Sequence, residues 1–257
     1  MTLQRAGGAS GFSATADDYA ATMAPALAPM AAEVVSRAAL GAGETVLDVG
    51  TGPGTAAAYA RGEGRAVTGL DAAPGMLKIA RRQTPGVDFI EADFSRIPLP
   101  DGAVDVVTAV HALLFADDRV GALREWRRVT RPGGRLSLSV PGPGDVVPTT
   151  VFAEVYDRYG ITWGDDYPVP ADLAQWARDA GWDDVAVDAD PTTVIPLTDE
   201  VTFLAWLRVG AKGRATATWS PEHRDEFARD LMAAAPRDAA GAFRLPFGTI
   251  YLTARNR

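Results

Sequence analysis

The chain has 257 residues, 47% of them hydrophobic and 23% charged, enough to build a sizeable core and too apolar overall for a disordered protein. A formal charge of -8 argues against a general nucleic-acid surface, and the lack of cysteine excludes a disulfide framework and a thiolate zinc site. With only His111 and His223, far apart, no metal site is expected.

The first residues, "MTLQRAGGASG", lack the apolar stretch of a secretion leader. "MAPALAPM" is cut by Pro25 and Pro29, and no run reaches a membrane-spanning length. A cytoplasmic protein without membrane insertion is the expectation. The spacing of Met30, Val34 and Val35 predicts a helix over 14–39, stopped by Gly41 and Gly43. Strands over 45–49, 66–70, 87–91, 104–110 and 135–140 then alternate with helices over 54–61, 74–82 and 118–129. "RPGG" at 131–134 reads as the turn before the fifth strand. Such alternation predicts an α/β fold, a doubly wound, mostly parallel sheet with helices on both faces.

Beyond "PGPGD" the rhythm changes. Helices are expected over 149–159 and 170–180, followed by a sixth strand in "DDVAVDADPTTVI" that is interrupted at Pro191. Helices over 199–211 and 221–234 come next, and a final strand over 243–254 in which Pro246 marks an irregular start. The helices ahead of that strand are expected to form an inserted cap over the sheet. The whole of 1–257 reads as one domain: an N-terminal helix at 14–39, a binding core at 45–140, C-terminal helices, sixth strand and cap at 149–240, and the final strand.

"VLDVGTGPG", Val46 to Gly54, sets Gly50, Gly52 and Gly54 behind a short apolar strand and ahead of an alanine-rich helix. That layout turns bare backbone and helix-start N–H groups toward a polar ligand. A phosphate-binding P-loop would need a lysine before its Ser or Thr, and Thr55 comes without one. A dinucleotide turn would read G-x-G-x-x-G. Here the spacing is G-x-G-x-G, and Pro53 removes an N–H where a phosphate would sit. Asp48 is ill placed beside a pyrophosphate and better suits a ligand with a positive amine.

Four segments in order over 45–140 then resemble the class I S-adenosylmethionine-dependent methyltransferases, in the branch of the ubiquinone and menaquinone biosynthesis methyltransferases. They are "VLDVGTGPG", "GLDAAPGMLKIA", "EADFSRIPLPDGAVDVV" and "EWRRVTRPGGRLSLSV". The resemblance implies a Rossmann-like sheet of seven strands, the last antiparallel, and S-adenosyl-L-methionine (SAM) as cofactor. It implies methyl transfer to a small-molecule acceptor by in-line displacement. Gly50, Thr51, Gly52 and Gly54 would surround the methionine tail, with the negative potential of Asp48 nearby. Asp71, next to Ala72, would accept from both ribose hydroxyls, since an ionised carboxylate has two acceptor oxygens. Met76 would cover the adenine. Beside Ala92, Asp93 would take the adenine amino group and Phe94 would line the ring. Backbone through Val110 and His111 would face the ammonium, and Tyr19 would close over the cofactor from an N-terminal helix.

His111, after the fourth strand, is the one catalytic candidate, placed to act as a base near neutral pH. A lone histidine there can equally satisfy a carbonyl and do no chemistry, and methyl transfer needs no obligatory acid or base. Asp71 and Asp93 would otherwise be solvated strand-end acids, Tyr19 a packing residue, and Met76 a core contact if its helix is turned by one residue. Trp163, Tyr167, Trp206, Trp219, Phe243 and Phe247 suit an apolar or aromatic acceptor, or simply a core. Arg208, Lys212 and Arg214 either meet an acidic group or form a solvated face. Two other functions stay open: a SAM-binding relative that catalyses another reaction such as a cyclisation, and a nicotinamide-dependent oxidoreductase, disfavoured by the glycine spacing and the missing Tyr-x-x-x-Lys.

Overall fold

A computed structural model describes residues 2–3, 9–62, 64–142, 151–163 and 168–257. Seven strands form the main sheet: β1 Thr45–Val49, β2 Ala66–Asp71, β3 Asp88–Glu91, β4 Val104–Val110, β5 Thr130–Pro141, β6 Asp183–Asp190 and β7 Thr249–Arg255. Their order is β3-β2-β1-β4-β5-β7-β6. The first five run parallel, and β7 lies antiparallel to both β5 and β6. The order reverses between β1 and β4, and connections that diverge there open a crevice at the carboxyl ends of the strands. Asp48, Asp71 and Val110 all come to that edge.

β1 and β4 read as near-continuous apolar runs because both of their faces are covered. Val46, Leu47, Val49, Val106, Val107 and Ala109 are buried. On one face Leu123 and Trp126 of the helix Arg119–Val129 pack with Leu173 and Ala177 of the helix Pro170–Asp179. Asp118 caps the former, accepting the Gly121 N–H at 2.8 Å. Buried indoles need a partner for their N–H. Trp126 donates to the Phe94 carbonyl at 3.1 Å and Trp182 to the Leu123 carbonyl at 2.9 Å. On the other face lie the helices Thr55–Ala60 and Met23–Arg37. Ala57 and Ala60 pack on Val46 and Val67, and the Val34 carbonyl accepts the Ser137 hydroxyl at 2.7 Å.

Several boundaries differ from the sequence reading. The single helix expected over 14–39 is three: Ala9–Ala14, Ala16–Ala21 and Met23–Arg37. The breaks fall at threonines whose hydroxyls bond back to the chain, Thr15 to the Gly11 carbonyl at 3.1 Å and Thr22 to the Asp18 carbonyl at 2.7 Å. Pro25 sits in a first turn, where its missing N–H costs nothing. The "RPGG" stretch is a bulge inside β5, as pairing with β4 jumps from Val104↔Thr130 to Val106↔Arg135. Of the helix expected over 149–159, residues 149–150 lie outside the described residues and Ala153–Arg158 is helical.

The sixth strand stops before Pro191, and the last strand divides after Pro246. The fragments cut off, Val194–Leu197 and Phe243–Pro246, pair with each other antiparallel outside the main sheet. Together with the helices Glu200–Arg208, Gly210–Thr216 and Pro221–Ala234 they make the cap. Its core holds Phe203, Trp206, Phe227 and Phe243, and it sits on Leu27 and Met30 of the Met23–Arg37 helix. Among the described residues no helix is long and apolar enough to cross a membrane.

Asn256, buried just past β7, ties the chain end to the core. Its side-chain amide donates to the Thr130 carbonyl at 2.6 Å and reaches the Arg127 and Arg131 carbonyls at 3.3 Å. Asn256→Ala leaves the buried Thr130 carbonyl without this donor and should lower stability by about 1–3 kcal/mol. The urea midpoint should fall with the slope unchanged. A midpoint equal to that of the parent protein would contradict this role.

Candidate functional site

The site starts from a carboxylate that never reaches solvent. Asp48 is 1% exposed. Its Oδ2 accepts the Thr51 hydroxyl at 2.7 Å and the Ala57 N–H at 3.1 Å, and its Oδ1 accepts the Thr108 hydroxyl at 2.9 Å. One side chain thus ties the glycine turn, the first turn of the Thr55–Ala60 helix and β4 together. Burial pushes its carboxyl up to about 6, against the pull of these three donors. Register makes the arrangement possible, because Asp48 pairs with Thr108 on one side and Gly69 on the other. A Cβ at Gly69 would lie 2.8 Å from the Thr51 hydroxyl and 2.7 Å from the Phe89 ring. Neither Thr108 nor Gly69 carries a sequence signal, since their value lies in a cross-strand register.

The turn itself runs through three left-handed glycines, Gly50 at φ 65°, Gly52 at 55° and Gly54 at 91°. Gly50 is also steric, for an added Cβ would come within 2.5 Å of that of Ala112. Gly52 is different, because nothing lies within 4 Å of the same position. Beside that open space stands Asp71. Its Oδ2 accepts the Gly52 N–H and its Oδ1 the Ala73 N–H, both at 2.8 Å. Burial raises the Asp71 carboxyl, opposed by backbone N–H groups of Ala73, Gly52 and Ala72. With three backbone donors, the carboxylate keeps about one of its roughly four acceptor positions. That spare position, next to bare backbone, suits a ligand hydroxyl such as those of the ribose of SAM.

Asp93 is exposed, and its Oδ1 accepts the Ser95 N–H at 2.8 Å and hydroxyl at 2.6 Å, which hold the carboxyl below its ordinary range. Neighbouring Ala92 donates its N–H to the Asp71 carbonyl at 3.1 Å, so this loop is anchored to the end of β2. Phe94 is half-buried and meets Trp126 edge-on at 6.1 Å. Met76 is 2% exposed and packs with Ala16, Ala73 and Ile79, beneath the N-terminal helices. Tyr19 packs with the same group. Burial raises its phenol, and the charge of Asp71 raises it further.

His111 ends β4 in a left-handed conformation, φ 56°, unusual for a residue other than glycine. Its N–H donates to the Ser139 carbonyl at 2.9 Å, and its ring stacks on Phe247 at 5.3 Å. Burial drives the imidazole down to about 3, so it is neutral. Among the described residues, both buried ring nitrogens lack a hydrogen-bond partner. No carboxylate among those residues bonds the ring to orient it as a general base. Val110, just before it, is half-buried at the crevice.

The structure adds two ties that sequence reasoning missed. The Ser13 hydroxyl accepts the Gly75 N–H at 3.1 Å, and Gly75 must lack a side chain because the Ser13 backbone would lie 2.7 Å from its Cβ. Arg208 forks onto Asp18 at 2.7 and 2.8 Å, joining the Ala16–Ala21 helix to the cap. Arg208 is therefore engaged, and Lys212 lies over the Trp206 ring at 4.1 Å. Of the two readings of the basic cluster, an acid-binding site or a solvated face, these two side chains make neither an anion site nor a wholly solvated one; the Arg214 side chain lies outside the described residues, as do that of Trp163 and all of Tyr167. Trp206 and Phe243 are core residues of the cap, and Trp219 stacks on Tyr159 at 5.8 Å. Phe247 alone of the described aromatic candidates reaches the strand ends.

Asp48→Ala strands three donors and should cost about 1–3 kcal/mol at neutral pH. A group whose pKa is raised by folding stabilises below its unfolded value and loses that contribution as pH rises to its folded value. Stability of the parent protein should therefore carry a component that falls between the ordinary carboxylate range and about 6, absent in the variant. Urea titrations across that window measure both. Parallel pH profiles would exclude Asp48 as the source.

A family profile described as a methyltransferase domain matches residues 47–138. The chain is 36% identical over 165 residues to the demethylmenaquinone methyltransferase of Renibacterium salmoninarum, a match covering 56% of this chain and 68% of that protein. It is 38% identical over 104 residues to the malonyl-[acyl-carrier protein] O-methyltransferase of Serratia marcescens, covering 40% of this chain and 41% of the relative. Among solved structures, the phosphoethanolamine N-methyltransferase 2 of Haemonchus contortus, in complex with S-adenosyl-L-methionine, shares the fold with a TM-score of 0.55 at 18% identity. That likeness covers 88% of this chain and 52% of the other. With the strand order and the glycine turn, these matches establish that the chain belongs to the class I SAM-dependent methyltransferases.

Proposed function

We propose that the enzyme acts in the cytoplasm as one domain over 1–257, methylating a small apolar or aromatic molecule held between the ends of β4 and β5 and the cap. The observation that carries this reading is the stack of His111 on Phe247, an aromatic and uncharged surface beside the crevice that Gly52 and Asp71 border. The net charge of -8 supports a free small molecule over a nucleic acid.

When bound, SAM supplies an electrophilic methyl group on its sulfonium for in-line displacement by the acceptor. The chain's own work is alignment, which can supply much of the acceleration of such a reaction. Asp71 is assigned to the ribose diol, with Ala72 beside it. Gly50, Thr51, Gly52 and Gly54 make room for the methionine tail, and Val110 and His111 border it through their backbone. Asp93 is assigned to the adenine amino group, with Ala92 and Phe94 along the ring, while Tyr19 closes the site above Asp71. Asp48 acts through the turn that it holds, and Met76 through the helix on which the N-terminal segment rests. His111 shapes the acceptor pocket and does not abstract a proton, because its ring has neither a carboxylate partner nor a pKa near neutrality.

Calorimetry should detect SAM and S-adenosylhomocysteine, with no competition from NADH. Asp71→Ala should weaken either ligand by about 1–3 kcal/mol, the range for hydrogen bonds to a charged group, and should lower apo stability as well because Gly52 and Ala73 lose their acceptor. Tight NADH binding with no response to SAM would overturn the assignment. Incubation with SAM and a panel of phenols, amines and carboxylic acids, read by mass spectrometry for a gain of one CH₂, tests the acceptor class. Once an acceptor is known, His111→Ala should change KM more than kcat, with an effect flat in pH. A loss of about 10²-fold or more in kcat that shrinks at high pH would make it a base.

A further inference from the structure

We propose that His111 and Ser139 form the polar end of the acceptor pocket and select an uncharged hydroxyl, so that the acceptor is an alcohol or phenol and not a carboxylate or an ammonium. The inference rests on the methyltransferase reading above and narrows its substrate.

Among the described residues, three polar side-chain atoms lie buried here without a partner: Nδ1 and Nε2 of His111 and Oγ of Ser139. Native interiors rarely leave such groups unpaired, and three from two touching residues call for an explanation. The residues belong together. Ser139 is the register partner of Val110, and its carbonyl accepts the His111 N–H at 2.9 Å. Strand alternation puts Ser139 on the same face as Ser137, whose hydroxyl bonds the Met23–Arg37 helix, so it faces the side that carries the cap. Phe247, part of the cap cluster, stacks on the His111 ring from that side. The left-handed backbone at His111 persists because the surroundings hold it, which keeps the ring in one orientation.

The missing partner can be described chemically. A neutral imidazole offers one N–H and one lone pair, and a serine hydroxyl offers one O–H and lone pairs. The two ring nitrogens point apart, so one ligand group meets only one of them. A hydroxyl serves whichever faces it, accepting from the N–H or donating to the lone pair while it pairs with the serine. A carboxylate only accepts, and it would enter an aromatic pocket without a counter-ion. Two basic groups of the neighbouring cap helices are already engaged, Arg208 by Asp18 and Lys212 over Trp206. An ammonium only donates, so it cannot answer a ring N–H or the serine O–H, and it too would bring an uncompensated charge into the pocket.

The chain has two histidines, so protein labelled with ¹⁵N-histidine gives two imidazole spin systems, and His111→Phe assigns them. In the presence of S-adenosylhomocysteine, phenol should move the His111 nitrogen resonances and leave those of His223 in place. Benzoate and benzylammonium should move neither. Ser139→Ala should weaken phenol about fivefold, the effect of one neutral hydrogen bond, at unchanged S-adenosylhomocysteine affinity. Ser139→Cys, close in shape and a poorer donor, should weaken it too and serves if the alanine variant does not fold. Equal responses to phenol and benzoate, no response to phenol, or phenol affinity indifferent to both Ser139 variants would overturn the proposal, the last showing that ordered water fills these positions. Failure to bind S-adenosylhomocysteine would instead overturn the reading on which it rests.

Discussion

An ionisable group sealed inside the sheet sets the geometry on which the rest of the site depends. Asp48 has no access to solvent, so its two oxygens can be satisfied only by the chain, and the donors come from a turn, a helix start and a neighbouring strand. Folding must bring all three into place at once or leave a buried carboxylate exposed to the full desolvation penalty. This requirement fixes how sharply the chain leaves β1. That sharpness in turn aims the Gly52 N–H at Asp71 and leaves open space above Gly52.

From that point the two ligand regions diverge in character. The Asp71 side is polar and built from backbone: N–H groups at known distances and a carboxylate with capacity to spare. The His111 side is aromatic and electrically quiet, with its polar atoms few, buried and unanswered. The first kind of surface recognises a molecule with many hydrogen-bonding groups. The second would suit the flat or apolar partner proposed above, and the two meet at the carboxyl ends of β1 and β4.

Legibility in the sequence followed the range over which each feature acts. The glycine turn, Asp71 and the alternating strands were readable because their signals are local: apolar runs, positive-φ glycines and an acid at a strand end. The role of Asp48 was misjudged because Thr108 lies 60 positions away and meets it only through strand register. The threonine breaks at 15 and 22 were hidden inside a good helical pattern, since a hydroxyl that bonds its own backbone leaves the apolar spacing intact. Phe247 was one aromatic residue among several until the division after Pro246 swung it onto His111. The partners of the Arg208 cluster were hidden for the same reason, since Arg208 pairs with Asp18 in a helix 190 positions earlier while Lys212 lies over Trp206.

The fork between Arg208 and Asp18 joins the Ala16–Ala21 helix, which carries Tyr19, to the cap that carries Phe247 on His111. Both charges keep contact with water, and such a surface pair contributes only about 0–1 kcal/mol. It ties the two covers to each other without fixing either of them to the sheet. Added salt would loosen that tie, through screening, well before it touched the sheet beneath.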